Sequence, residues 1–264
     1  MVLAALLLGP WAIAKSIPEW RTMSRRELLL LLLSGLALAA HFAAWITSLS
    51  LTTVSSSVIL VTINPIFVGL ASYFILHEPV SWRKALAIGL ALTGTVIVAL
   101  GDFNLSGKAL LGDIYAIAGA LAVSCYLILG RVLRRRLSTL AYVWPCYSIA
   151  GIALLLICLL TGQPLFGYSL NTYLWLVLLA VVPQIIGHSA FNWALAYFTP
   201  VFVTLAILGE PIGASVLAFF ILHEIPPTVT LLGAVFTLTG IILASLDERL
   251  TQSIHALISP GSSK

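Results

Sequence analysis

Residues 207–213 read ILGEPIG, in the middle of the apolar run 201–222. A carboxylate at the centre of a membrane helix costs about 3 kcal/mol by insertion scales, so such a group faces a cavity or a partner. Pro211 has no N–H, which leaves the carbonyl of Ile207 without its usual helical donor, and Gly209 loosens the same turn. A carboxyl group beside a broken turn can bind a cation, a proton or an amine. Glu210 is therefore the candidate for proton coupling, and Pro211 for a helix break. A second broken turn is expected at Asn64-Pro65, where the freed carbonyl belongs to Val61. Its side chain serves either the kink or a ligand. His41 lies near the middle of the run 28–50 and shares a helical face with Ser34, Trp45 and Ser48. Gln184, His188 and Asn192 recur at i, i+4 and i+8 in the run 173–197, again on one face. A polar stripe on an apolar helix points into the bundle. Two readings follow. The side chains bond across helix interfaces, or His41, Trp45, Gln184, His188 and Asn192 line a substrate cavity facing Asn64 and Glu210. In the second, Trp45 supplies an apolar or cation–π wall.

Other residue patterns point away from enzymatic chemistry. HEPVS (77–81) and HEIPP (223–227) lack the second histidine of a zinc-protease helix. The cysteines Cys125, Cys146 and Cys158 all fall in apolar runs, without disulfide or metal spacing. No catalytic residue, metal or cofactor is expected. Glu78 and Glu224 suit helix starts, and RVLRRR (131–136) reads as a topology signal at lipid phosphate.

The elements that must hold these groups are membrane helices. Hydrophobic residues make up 61% of the 264 and charged residues 8%, against roughly 45–50% and 25% in soluble domains. Lipid must be the solvent. Runs of about 20 apolar residues cross the hydrocarbon as helices. Eight occur, at about 28–50, 55–76, 84–101, 111–130, 139–161, 173–197, 201–222 and 228–246, with a shorter ninth at 1–14. Of the 13 basic residues, only Lys108 falls on one face of the resulting topology. The positive-inside rule puts the others, and the C-terminal tail 247–264, in the cytoplasm.

The sequence also repeats itself. NPIFVGLASYFILHEPV (64–80) matches EPIGASVLAFFILHEIP (210–226), and Leu92-Thr93-Gly94 matches Leu238-Thr239-Gly240, all at one offset (223 − 77 = 146). That offset spans five helices, an odd number, so the copies cross the membrane in opposite senses. Inverted repeats are a signature of secondary transporters with midplane sites. The fold class is all-α: a polytopic helical bundle of two inverted five-helix repeats. Residues 1–102 form a first repeat of about four helices, and 103–246 a second of about five. The first helix of a ten-helix parent is expected to be missing.

INPIFVGLASYFILHEPVSW and LGEPIGASVLAFFILHEIPP resemble the EamA-like transporters of the drug/metabolite transporter superfamily, across nearly the whole chain. HE stands here where that family more often has GE. The resemblance implies a secondary-active carrier, often an exporter, moving amino acids or other small metabolites by alternating access, and not an enzyme. Its partners are a small-molecule substrate and the lipid bilayer, without nucleic acid, as monomer or homodimer. Compactness and short loops point to a plasma membrane, a bacterial inner membrane in particular. A truncated, non-transporting sensor or scaffold is the alternative.

Overall fold

The structure, a computed structural model, describes residues 1–99, 108–210, 212–213, 216–217, 220, 223, 225 and 228–258. All elements among the described residues are helical: α1 (Val2–Arg21), α2 (Arg25–Leu49), α3 (Val54–Val61), α4 (Asn64–Phe74), α5 (Trp82–Ala99), α6 (Ala109–Arg134), α7 (Thr139–Leu160), α8 (Leu170–Leu179), a π-helical segment (Ala180–His188), α9 (Ser189–Ala194), α10 (Pro200–Ile207) and α11 (Thr228–Ile258). Seven stretches among the described residues are long and apolar enough to cross a membrane. The expected run 84–101 forms α5 among the described residues. The run 201–222 is only partly described. Apolar side chains cover the outside: α8 buries none of its residues, and Leu174, Trp175 and Leu179 are all exposed. So large an apolar surface is stable only against lipid.

Hydroxyl caps start several helices. Thr53, Ser138 and Ser169 accept from the amides of Ser56, Ala141 and Thr172. Ser24 and Glu27 form a reciprocal capping box at α2, with bonds of 2.7 and 3.2 Å.

The chain divides into two compact units, each drawing on both halves of the sequence. Unit 1 holds Met1–Ile46 and Leu121–Tyr197; unit 2 holds Thr47–Ala120 and Phe198–Lys264. In unit 1, α1 runs antiparallel to α7. The Trp20 indole donates to the Ala141 carbonyl and the Trp144 indole to that of Ala5, each at 2.9 Å, and the two rings stack at 5.1 Å. Glu19 takes the Ser138 amide at 2.7 Å.

In unit 2, α5 packs along α11 through small residues. A Cβ on Gly94 would collide with Thr237 and the Gly233 carbonyl. One on Gly240 would come within 2.7 Å of the Ala87 carbonyl and 2.9 Å of the Ala91 amide. Ala87, Ala91 and Gly94 are displaced by 146 from Gly233, Thr237 and Gly240 (for example, 240 − 94 = 146). The contact is therefore self-complementary, as in an isologous interface.

The same offset governs two further features of unit 2. The helix is interrupted at Thr62–Ile63 between α3 and α4, and again at Leu208–Gly209 after α10. Ile66 donates to the Ile63 carbonyl at 3.0 Å and Ile212 to that of Gly209 at 3.1 Å. His77 and His223 are the non-glycine residues with positive φ among the described residues, at 55° and 57°. Their left-handed backbone explains why glycine fits this turn: L-residues other than glycine pay about 1–2 kcal/mol there. At the first turn it lets the Glu78 amide fold back onto the Ser72 carbonyl at 2.9 Å.

Candidate functional site

Unit 1 brings together five of the expected site residues. Around Pro183, which cannot donate to the carbonyl four residues before it, the helix widens into the π segment Ala180–His188. Such segments recur at functional sites. The stripe Gln184–His188–Asn192 runs down this segment into α9. Gln184 is 5% exposed and Asn192 0%.

The stripe meets aromatic rings from α2 and α6. The His188 ring lies 5.5 Å from Phe42, 6.2 Å from Tyr126 and 5.9 Å from Phe191. On α2 the buried imidazole of His41 stacks on Trp45, with centroids 5.8 Å apart and planes 16° from parallel. Ser34 and Ser48, which share that face, are tied elsewhere: Ser34 to the Tyr142 hydroxyl at 2.7 Å, Ser48 to Ser57.

Three buried polar atoms of the stripe have no hydrogen-bond partner: Gln184 Nε2, His188 Nδ1 and Asn192 Oδ1. Asn192 is the most informative. Its Nδ2 donates to the Tyr126 hydroxyl and, at 2.7 Å, to the His188 carbonyl. A backbone carbonyl only accepts, so the amide cannot be turned around. The free atom is therefore an acceptor, enclosed by protein and lacking a donor. Each unsatisfied buried polar atom costs about 1–3 kcal/mol, and three share one helix face over roughly 12 Å. This arrangement offers acceptor and donor positions to a small polar molecule, amid aromatic faces.

Unit 2 holds the other two expected residues. Asn64 is buried at the start of α4, with Pro65 in the first turn after the break. Glu210 resumes the helix after Leu208–Gly209 and is exposed. Pro211 lies outside the described residues, as does Glu224.

Sequence reasoning missed Phe42, Tyr126, Tyr147 and Ser189. Tyr147 donates toward the Gln184 carbonyl at 3.4 Å and pairs with Ser189 at 3.2 Å, bracing the π segment from α7. Nothing in an apolar run marks which tyrosine meets the stripe. The arginines of 131–136 also differ from expectation. Arg131 donates to the Leu195 carbonyl at 2.7 Å, Arg134 to those of Asn192 and Leu137, and Arg136 pairs with Glu27 and the Thr22 carbonyl. They meet protein acceptors because the ends of α1, α6 and α9 present carbonyls and the first turn of α2 a carboxylate.

Comparison with known proteins identifies the family. The profile of the EamA-like transporter family matches residues 1–100 and 110–246. The chain belongs to that family. Among its relatives is an uncharacterized transporter of Clostridium kluyveri, 27% identical over all of this chain and 86% of that protein. Another, from Archaeoglobus fulgidus, is 24% identical over 94% of this chain and 86% of the relative. A probable terminal-alkyne amino-acid exporter of Streptantibioticus cattleyicolor is 24% identical over 70% of this chain and 62% of its own length. A solved crystal structure superposes with a TM-score of 0.77 at 18% identity, covering 94% of this chain and 87% of its own, and shares the fold. The EamA-like chain is thus a multi-pass membrane protein of a transporter family.

Proposed function

We propose that this protein is a secondary-active exporter of a small metabolite, an amino acid or a related compound, working by alternating access. The observation that carries the reading is the stripe of Gln184, His188 and Asn192, whose buried polar atoms lack partners beside aromatic rings. A substrate supplies those partners when it binds and removes their cost. His41 and Trp45 form the facing wall. The name of the Streptantibioticus relative supports an amino-acid-like substrate. Asn64 and Glu210 serve the same cycle at the paired helix breaks of unit 2, with Glu210 coupling protons. The repeats 1–102 and 103–246 provide the two inverted halves, in a plasma membrane with the C-terminus cytoplasmic.

The test is a thermal-unfolding screen of the purified protein against standard amino acids, their amides and simple sugars. Compounds that raise the midpoint of wild type, but not of Gln184→Leu or Asn192→Leu, support the site. A well-folded sample that no compound stabilises counts against it. For coupling, Glu210→Gln in proteoliposomes should change the pH dependence of transport; an unaltered profile removes Glu210 from that role.

A further inference from the structure

The segment that carries the stripe is weakly built. α9 has six residues and follows a π segment of nine. A helix so short does not hold itself, and π turns recur only in single pieces. Helix-end carbonyls need further donors. Those of Phe191, Trp193 and Ala194 accept from the amides of Leu195, Ala196 and Tyr197, and α6 supplies the donors for Asn192 and Leu195. Arg134 is 7% exposed, and its Nε donates to the Asn192 carbonyl at 2.9 Å while another guanidinium nitrogen holds the Leu137 carbonyl. Arg131, one turn earlier, donates to the Leu195 carbonyl at 2.7 Å. Tyr126, Gly130 and Arg134 lie at i, i+4 and i+8 on α6, so one face makes all three contacts. Tyr126 takes the Asn192 side chain. A Cβ on Gly130 would stand 3.0 Å from the Tyr142 hydroxyl and 3.1 Å from Leu195. Asn192 is thus gripped at side chain and backbone by the same helix.

We infer that Arg134, seconded by Arg131, is a positioning residue that sets the Asn192 acceptor and the His188 ring through the backbone of α9. The role rests on reading this stripe as the substrate site. A cation at a helix C-terminus also answers the helix dipole, but a lysine would do that as well. Only a guanidinium spans two carbonyls in a fixed fork. Arg134→Lys therefore separates charge from positioning.

The experiment uses the full chain in nanodiscs, with histidines labelled by ¹⁵N and the His188 signal assigned by its loss in His188→Gln. Asn192→Ala reports how far that signal moves when the amide is gone. Arg134→Lys and Arg131→Gln should each shift the His188 ring signal, leave those of His77 and His223 in place, and keep a cooperative unfolding transition. For any screened compound that stabilises wild type, binding should weaken about tenfold in Arg134→Lys, the loss of one charge-assisted hydrogen bond. A wild-type His188 signal in both variants, with Asn192→Ala shifted, overturns the inference. So does a shift that spreads to His77 and His223, since that marks general loosening. The ring signals need no substrate, so failure of the transport reading leaves this result standing on its own.

Discussion

Two buried polar groups in this molecule are built on opposite principles. In unit 1, Gln184, His188 and Asn192 leave three buried atoms without partners. In unit 2, Lys84 of α5, Glu248 of α11 and Thr199 at the start of α10 satisfy one another. Lys84 Nζ stands 2.8 Å from Glu248 and 3.2 Å from the Thr199 hydroxyl, with Asp247 at 3.9 Å. Glu248 accepts both the amide and the hydroxyl of Thr199 at 2.8 Å. The side chains of Lys84 and Glu248 are 4% and 5% exposed. Charged side chains at this depth persist when paired. The network therefore pins the first turn of α10 to the α5–α11 pair. Burial alone does not mark a ligand site; in the proposed reading, several partnerless buried atoms on one helix face do.

That contrast can be broken by mutation. The largest effect is expected for Glu248→Ala, which leaves the Lys84 ammonium buried and uncaps α10: a loss of about 3–5 kcal/mol, read by denaturant unfolding in detergent. The apolar double replacement Lys84→Met/Glu248→Leu should recover most of that loss; if it does not, the network does more than satisfy its own charges. Next comes Gly94→Val, which forces α5 from Thr237 and Gly233 and should cost about 1–3 kcal/mol by overpacking. A thermal midpoint equal to wild type would show that the two helices are not in close contact. Gln184→Leu should move the other way. It removes an unpartnered buried donor, so stability should hold or rise by up to about 1 kcal/mol, while stabilisation by any bound solute is lost. A clear fall in stability would place Gln184 with the satisfied groups. The smallest effect is expected for His77→Gly, a gain of about 1 kcal/mol from releasing the left-handed backbone, measured by thermal unfolding.

Much of this was written in the chain in a form that sequence reasoning can read. One offset, 146, marks the Asn64 and Glu210 turns, the paired histidines with positive φ and the glycines that let α5 meet α11. These are local features, set by proline, glycine and turn geometry, so they repeat wherever the residues do. The i, i+4, i+8 stripe was equally legible, because helical periodicity fixes which side chains share a face. Lys84 was read only as a topology charge and Arg134 as a lipid contact. Their acceptors lie far along the chain, 164 residues away for Glu248 (248 − 84) and 58 for Asn192.

The sequence by itself determined that the chain is a membrane bundle, that helices are interrupted beside Asn64 and Glu210, and that Gln184, His188 and Asn192 share a face. Those follow from hydropathy, proline chemistry and the helical repeat, which act over a few residues. Only the tertiary structure decided that each compact unit joins helices from both halves of the chain. It alone decided that Asn192 meets Tyr126 of α6, and that Glu248 finds Lys84. Whether a buried polar atom is satisfied depends on atoms brought close by folding, and no spacing along the chain records that.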